Sequence, residues 1–379
     1  MPMYGAQCGF AVWIISLKRG RPHLMKTGAK WALKKRRRLP ATGANSPPMW
    51  MDGCAWGRID MDKVKIGIIG LGSFCSSYHI PNLLNRSDVE VTAVCDISQE
   101  CLDGRNRRLR DSRVFTDYRD MIDPDLIDGV FVSTPNRAHF APCKLALEHG
   151  IPAIVDKPIT VTLEDAEELV ALSKSQNCIL MTAFTRHFMS STEYVRRQIA
   201  SGAITPQMLT AVQRKSPVKR GIEDGGMLHR RTIHITDVLP WITGKRVVKV
   251  EGKIQYETEQ IEETLVDMRL EFEGGLCASL LCIKSCDENQ DEVNIYTDKQ
   301  SYRLERDRLY AIARRDGWQR MENLPEYGNS SDHFVEAIKG NRPDPKAPYA
   351  DSHSEDGLQA LRVVFAMHKA AQTGRVVDV

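Results

Sequence analysis

The stretch VKIGIIGLGSFCSSYHI (Val64–Ile80), followed by VEVTAVCD (Val89–Asp96), decides the fold. A largely apolar strand over Val64–Ile69 runs into a glycine-rich turn, and a helix follows through Leu84. Gly70 permits the tight turn, and Gly72 lets the backbone approach a pyrophosphate at the helix N-terminus. Ser73 and Phe74 complete the turn, and Cys75 stands where a third glycine would allow the closest helix–strand packing. Asp96 ends the second strand at the distance where an acid accepts hydrogen bonds from a ribose.

Outward from this unit the pattern keeps alternating. A helix is expected over roughly Gln99–Leu109, a very short strand at Val114–Phe115, a strand over Ile127–Val132 and a helix over Ala138–His149. Pro152–Val155 reads as a buried strand, Leu163–Gln176 as a helix and Cys178–Phe184 as a last strand. Apolar strands separated by amphipathic helices make a parallel sheet covered on both faces. The fold class expected is α/β, a doubly wound Rossmann domain over 61–184. After Trp241 the texture changes to long alternating strands at Val247–Glu257, Glu263–Glu273, Cys277–Lys284 and Glu292–Thr297, with a hairpin turn at Gly274–Gly275. Residues 185–379 are therefore expected to form an α+β domain with a large open, mainly antiparallel sheet.

Composition narrows the class further. The 42% hydrophobic and 27% charged residues are ordinary globular values, and no run approaches the roughly 18 apolar residues of a membrane-spanning helix. Of the 52 Lys/Arg and 49 Asp/Glu, eleven and two fall in residues 1–60, so that segment carries +9 and the remainder −6. A mildly acidic body argues against nucleic acid as a partner for it. Residues 1–60, with four of the six tryptophans and the run Lys34–Arg38, show no sustained apolar period. They read as a disordered or non-native extension with translation starting at Met61; a targeting role is the alternative. The ten cysteines include no CxxC pair, so a reducing, cytoplasmic setting and no structural metal are expected.

Two further constellations lie past the strands. One is Ser133-Thr134-Pro135-Asn136-Arg137-Ala138-His139, followed by Gly150-Ile151-Pro152-Ala153-Ile154-Val155-Asp156-Lys157-Pro158. The other is Gly225-Gly226-Met227-Leu228-His229-Arg230-Arg231-Thr232-Ile233-His234-Ile235-Thr236-Asp237. Here the chain resembles the glucose–fructose oxidoreductase / inositol dehydrogenase (Gfo/Idh/MocA) family of nicotinamide-dependent dehydrogenases, from about Val64 to the end. The resemblance implies NAD at Gly70, Gly72, Ser73 and Phe74, with Asp96 on the ribose and Thr134, Pro135, Asn136 and His139 along the nicotinamide side. NADP stays open because Arg105, Arg107 and Arg108 lie further on. Asp156 matches the acid of the family's Glu-Lys-Pro motif, as a ligand-facing acid or a hydrogen-bonding turn residue.

Lys157 follows a buried strand at the end where such sheets bind ligand, so its ammonium can stabilise a developing oxyanion. His234 matches the family's proton-transferring histidine, and Asp237 a structural acid beyond it. In the family pattern an acid one helical turn before the histidine orients it; here Arg230 stands there instead. A guanidinium would suit a carboxylate- or phosphate-bearing substrate. Arg186, in Thr185-Arg186-His187-Phe188, either lines the cleft or packs the domains together.

The expected activity is hydride transfer between NAD(P) and a secondary alcohol or ketone on a sugar, cyclitol or related polyol, the acidic ones favoured. Lys157 and His234 are the catalytic pair, and Lys157, Arg186, Arg230 and His234 the substrate contacts. A cofactor-binding protein with little or no dehydrogenase activity is the alternative, resting on Arg230. The resemblance also implies a homodimer or homotetramer joined through the C-terminal sheet.

Overall fold

Six short strands pair in parallel: β1 (Val64–Ile69), β2 (Val89–Cys95), β3 (Arg113–Phe115), β4 (Gly129–Val132), β5 (Ala153–Val155) and β6 (Leu180–Thr182). The computed structural model describes residues 63–215, 225–257, 263–284, 289–313, 317–340 and 353–379, so the readings of residues 1–60 lie outside it. The strand order is β3-β2-β1-β4-β5-β6. It reverses at β1, which opens a ligand crevice at the carboxyl ends of β1 and β4. Near-continuous apolar strands suit a sheet buried on both faces, and in β1 only Lys65 is exposed.

The helices of this half are α1 (Ile80–Leu84), α2 (Gln99–Asp103), α3 (Phe140–Glu148) and α4 (Leu163–Ser175). In α4 the Thr162 side chain caps the Asp165 N–H, acids occupy the first turn, and Ala166, Leu169, Val170 and Ser173 form the buried face. The helix expected over Gln99–Leu109 is broken instead. Gly104 ends α2, and Asn106 starts a separate turn at Arg107–Leu109 by accepting from the Arg108 N–H. The helix after the glycine loop also differs: Cys75–His79 is a wide π turn, closed by the Ile80 N–H on the Cys75 carbonyl five residues back.

The connection to the second sheet is α5 (Ser190–Ala200). That sheet holds β7 (Met208–Lys215), β8 (Val247–Tyr256), β9 (Glu263–Phe272), β10 (Cys277–Lys284), β11 (Gln290–Tyr296), β12 (Tyr302–Glu305), β13 (Arg308–Ala313), β14 (Gly317–Arg320) and β15 (Val377–Asp378). Its order is β14-β13-β12-β11-β7-β10-β9-β8-β15, antiparallel except for the central β7–β10 pair. Sequence reading missed β7, whose inward face runs Leu209, Ala211, Gln213. Gln213 is buried, and it is there to bond the Arg231 carbonyl and Asp291.

Helix α6 (Ile233–Thr243) is apolar nearly all round and lies in the common core. The last two helices, α7 (Ser330–Ile338) and α8 (His353–Thr373), return to the first sheet. Phe334 and Val335 of α7 share a cluster with Val64, Ile66, Ile68 and Phe131, with Phe131 and Phe334 edge to face at 5.2 Å. On α8, Gly357 passes so close to Thr182 of β6 that a Cβ there would collide with it.

Candidate active site

The glycine loop leaves β1 at Gly70, whose φ is +92° and whose position has no room for a Cβ against the Ser133 carbonyl. Only glycine fits there without strain. Gly72 is the opposite case: a Cβ would meet nothing within 4 Å, so the space above it is open. Ser73 and Phe74 are exposed beside it. Asp96 holds the loop from the second strand, accepting from the Leu71 N–H at 2.7 Å and from the Ser98 N–H at 2.8 Å. Cys75 is fully buried in the cluster under the loop, which confirms packing without a third glycine.

The loop after β4 forms the facing wall. Thr134 Oγ1 is buried and has no hydrogen-bond partner among the described residues. A buried hydroxyl left in this state points to a ligand that satisfies it. Pro135 is exposed and Asn136 half-buried along the same loop. An open cradle over Gly72 and an orphaned hydroxyl across from it fit a dinucleotide.

His139 is held by main-chain carbonyls on both sides. It is fully buried, its Nδ1 2.8 Å from the Pro158 carbonyl and its Nε2 2.9 Å from the Thr134 carbonyl. It therefore clamps the Thr134 loop to the loop bearing Lys157. Asp156 is likewise a turn residue: one oxygen lies 2.9 Å from His79 Nε2 and the other accepts from Ser133 Oγ. Burial pushes its carboxyl up, but these partners outweigh that and hold it below the ordinary range. His79, whose Nδ1 meets Ser331 Oγ at 2.9 Å, ties the π turn, the Asp156 loop and α7 together. Sequence reading missed it because it lies in a helix whose apolar face was expected to do the packing.

Lys157 donates from Nζ to the Arg230 main-chain carbonyl at 2.6 Å, joining the two halves of the site. The Lys157–Pro158 peptide is cis. Burial first, and then the nearby Arg186, Arg231 and Arg230 against an opposing Asp156, lower the Lys157 amine to about 8. The accepting carbonyl belongs to a second π turn, Leu228–Thr232, closed by the Ile233 N–H on the Leu228 carbonyl five residues back. Because this turn is wound wider than an α-helix, Arg230 and His234 are not one ordinary turn apart. His234 follows, half-buried, as the second residue of α6. The Arg230 Nε reaches back to the Gly226 carbonyl at 3.3 Å.

Arg186 reaches across to the second sheet. Its guanidinium is gripped by both oxygens of buried Asp291 on β11, one contact being Nη1–Oδ1 at 2.9 Å. The neighbouring His187 stacks on Trp241 with ring centroids 3.8 Å apart, its Nε2 2.9 Å from both oxygens of Asp237. Burial pushes His187 down to about 3 and the Asp237 carboxyl up. Asp237 thus anchors the helix carrying His234. A cleft of about 410 Å³ opens beside the glycine loop, lined by Phe74, Tyr78, Thr185, Phe188 and Asn329 among others. Among the described residues no group of three or more His, Cys, Asp or Glu converges as a metal site.

Known proteins are similar to this chain in sequence and fold. Residues 64–184 match the model of an oxidoreductase family with an NAD-binding Rossmann fold (GFO_IDH_MocA), and residues 193–303 match the GFO/IDH/MocA C-terminal domain. Inositol 2-dehydrogenase of Corynebacterium glutamicum (strain R) is 28% identical over 194 residues, 50% of this chain and 57% of that protein, so the match spans little more than half of that relative. D-glucoside 3-dehydrogenase of Escherichia coli K12 is 22% identical over 357 residues, covering 83% of this chain and 97% of that one. Among solved structures, the WlbA dehydrogenase of Bordetella pertussis in complex with NADH and UDP-GlcNAcA superposes with a TM-score of 0.72 at 18% identity, over 85% of this chain and 99% of that one. With both halves matched in order, this chain belongs to the GFO/IDH/MocA family of oxidoreductases.

Proposed function

We propose that this protein is an NAD-dependent dehydrogenase of a sugar, cyclitol or related polyol. The observation that carries the reading is the half-buried Lys157 ammonium at the ligand end of the parallel sheet, bonded to the Arg230 carbonyl of the turn that leads into His234. Gly70, Gly72, Ser73, Phe74, Asp96 and the Thr134–Asn136 loop would hold the dinucleotide, which when bound supplies or accepts hydride. Lys157 stabilises the substrate oxygen, and His234 takes or gives its proton.

Asp96 favours NAD, because a carboxylate repels a 2′-phosphate. Of the three arginines that kept NADP open, two are engaged elsewhere: Arg105 on the Leu102 carbonyl and Arg108 on the Leu84 carbonyl. Arg230 and Arg231, close enough to Lys157 to lower its pKa, favour substrates that carry an acid group. The outer face of the second sheet would join the subunits of a dimer or tetramer. The seven described cysteines are all free, which suits the cytoplasm.

The test is cofactor reduction across sugars, cyclitols and sugar acids, with NAD preferred and acids fastest. Lys157→Ala should lower kcat by roughly 10²–10³-fold with little change in NAD affinity. Unchanged turnover would remove Lys157 from the chemistry. Arg230, standing where family members carry an acid, favours a second reading, a cofactor-binding protein without turnover. NAD binding with no activity across the whole panel would select it.

A further inference from the structure

The turn that offers its carbonyl to Lys157 is held at its entry by a carboxylate from the second sheet. Glu263, the first residue of β9, is 2% exposed, and its Oε2 accepts from the Met227 N–H at 2.6 Å. Gly226 packs so tightly on this carboxylate that any Cβ would collide with it. Gly225 has φ +72°, and a Cβ there would come within 2.8 Å of the His229 ring. The paired glycines therefore exist to admit Glu263 and His229.

Glu263 Oε1 lies 3.3 Å from Nε2 of His368 on α8, and His368 Nδ1 lies 3.1 Å from the Tyr256 hydroxyl on β8. The His229 ring is roughly parallel to that of His368, with centroids 6.1 Å apart. Burial raises the Glu263 carboxyl, but His368 and the Met227 amide outweigh it and keep it below the ordinary range. An ionised acid at the start of a helical segment satisfies an amide that the helix itself cannot. No local N-cap side chain does this for the Leu228–Thr232 turn.

Resting on the dehydrogenase reading above, we propose that Glu263 is a positioning residue: steered by His368, its carboxylate fixes the Gly225–Met227 entry so that the Arg230 carbonyl meets Lys157 and His234 follows in register. Glu263 touches neither substrate nor cofactor. It acts through three residues of main chain. Among the described residues, the groups that face Lys157 are Asp156, Arg186, Arg230 and Arg231, and those that face Glu263 are His368, His229 and Tyr256, so no direct charge contact among them joins the two.

The experiment compares the wild type, Glu263→Ala, Glu263→Gln and His368→Ala as full chains. It reads kcat and KM, NAD binding, thermal stability, and the titration midpoint of Lys157 by pH-dependent amine labelling and peptide mass spectrometry. Glu263→Ala should lower kcat at least tenfold with NAD binding within about twofold. It should also move the Lys157 midpoint down by about one unit, since an ammonium losing a hydrogen-bond acceptor loses roughly that much. Glu263→Gln, which still offers an oxygen to the Met227 amide, should restore most of both. His368→Ala, made at a less buried site, should shift both in the same direction by less, and decides the matter should Glu263→Ala fail to fold. An unchanged Lys157 midpoint in folded Glu263→Ala, or a kcat loss that only follows lost stability, overturns the proposal. If the wild type turns over no polyol yet the midpoint moves, the dehydrogenase reading falls and the positioning role stands.

Discussion

Lys157 is held where water is scarce and three guanidinium groups are near, and both conditions act on its proton. An ordinary lysine keeps its charge to about pH 10.4. Here the ammonium is lost as pH rises through about 8. Ketone reduction needs that ammonium beside the oxygen, so kcat in this direction should fall through a midpoint near 8; a profile flat to pH 10 would contradict it. The glycine loop offers a second residue-scale comparison. Gly72→Ala should leave stability nearly unchanged, because its Cβ enters open space, yet weaken NAD binding tenfold or more, about 1.4 kcal/mol. Gly70→Ala should instead destabilise the fold by about 1–3 kcal/mol through strain at positive φ. Paired thermal melts and cofactor titrations separate the two. Gly70 and Gly72 were legible because the turn they make is local in sequence. His79, Ser133 and Glu263 were not, because each acts through a partner tens of residues away.

Elements were legible where periodicity was strong and misread where a single residue changed the winding. The six parallel strands and α4 follow their apolar patterns closely. The two π turns, Cys75–His79 and Leu228–Thr232, leave no such trace, since one extra residue per turn is invisible to an apolar period. Both precede helices at the ligand end, where a widened turn re-aims side chains. Strand β7 was hidden by its inward glutamine, and β12 and β14 by their length of four residues. At this scale α7 gives a clear expectation. Phe334 is fully buried against Phe131, so Phe334→Ala should cost about 3–5 kcal/mol, read by denaturant unfolding. A loss under 1 kcal/mol would mean that α7 does not complete this core.

The whole molecule divides less cleanly than its sequence. Charge places the basic excess in residues 1–60, and a mildly acidic body carries the site. A chain starting at Met61 should bind NAD as the full chain does and elute as a dimer or tetramer by light scattering. Its NAD affinity should depend little on salt. Loss of binding, or a monomer, would sink this view of the extension or of the sheet interface. Texture suggested a cut at 184/185, yet α7 and α8 run back over the first sheet, with Arg86 bridging Asp88 to Asp332 and Glu336. The consequence concerns modularity. The cofactor half is built from two distant stretches of chain, so it cannot be swapped as a cassette between relatives. A chimaera joined at 184/185 would inherit a sheet from one parent and its cover from another. Recombination that preserves this fold must carry α7 and α8 along with the parallel sheet.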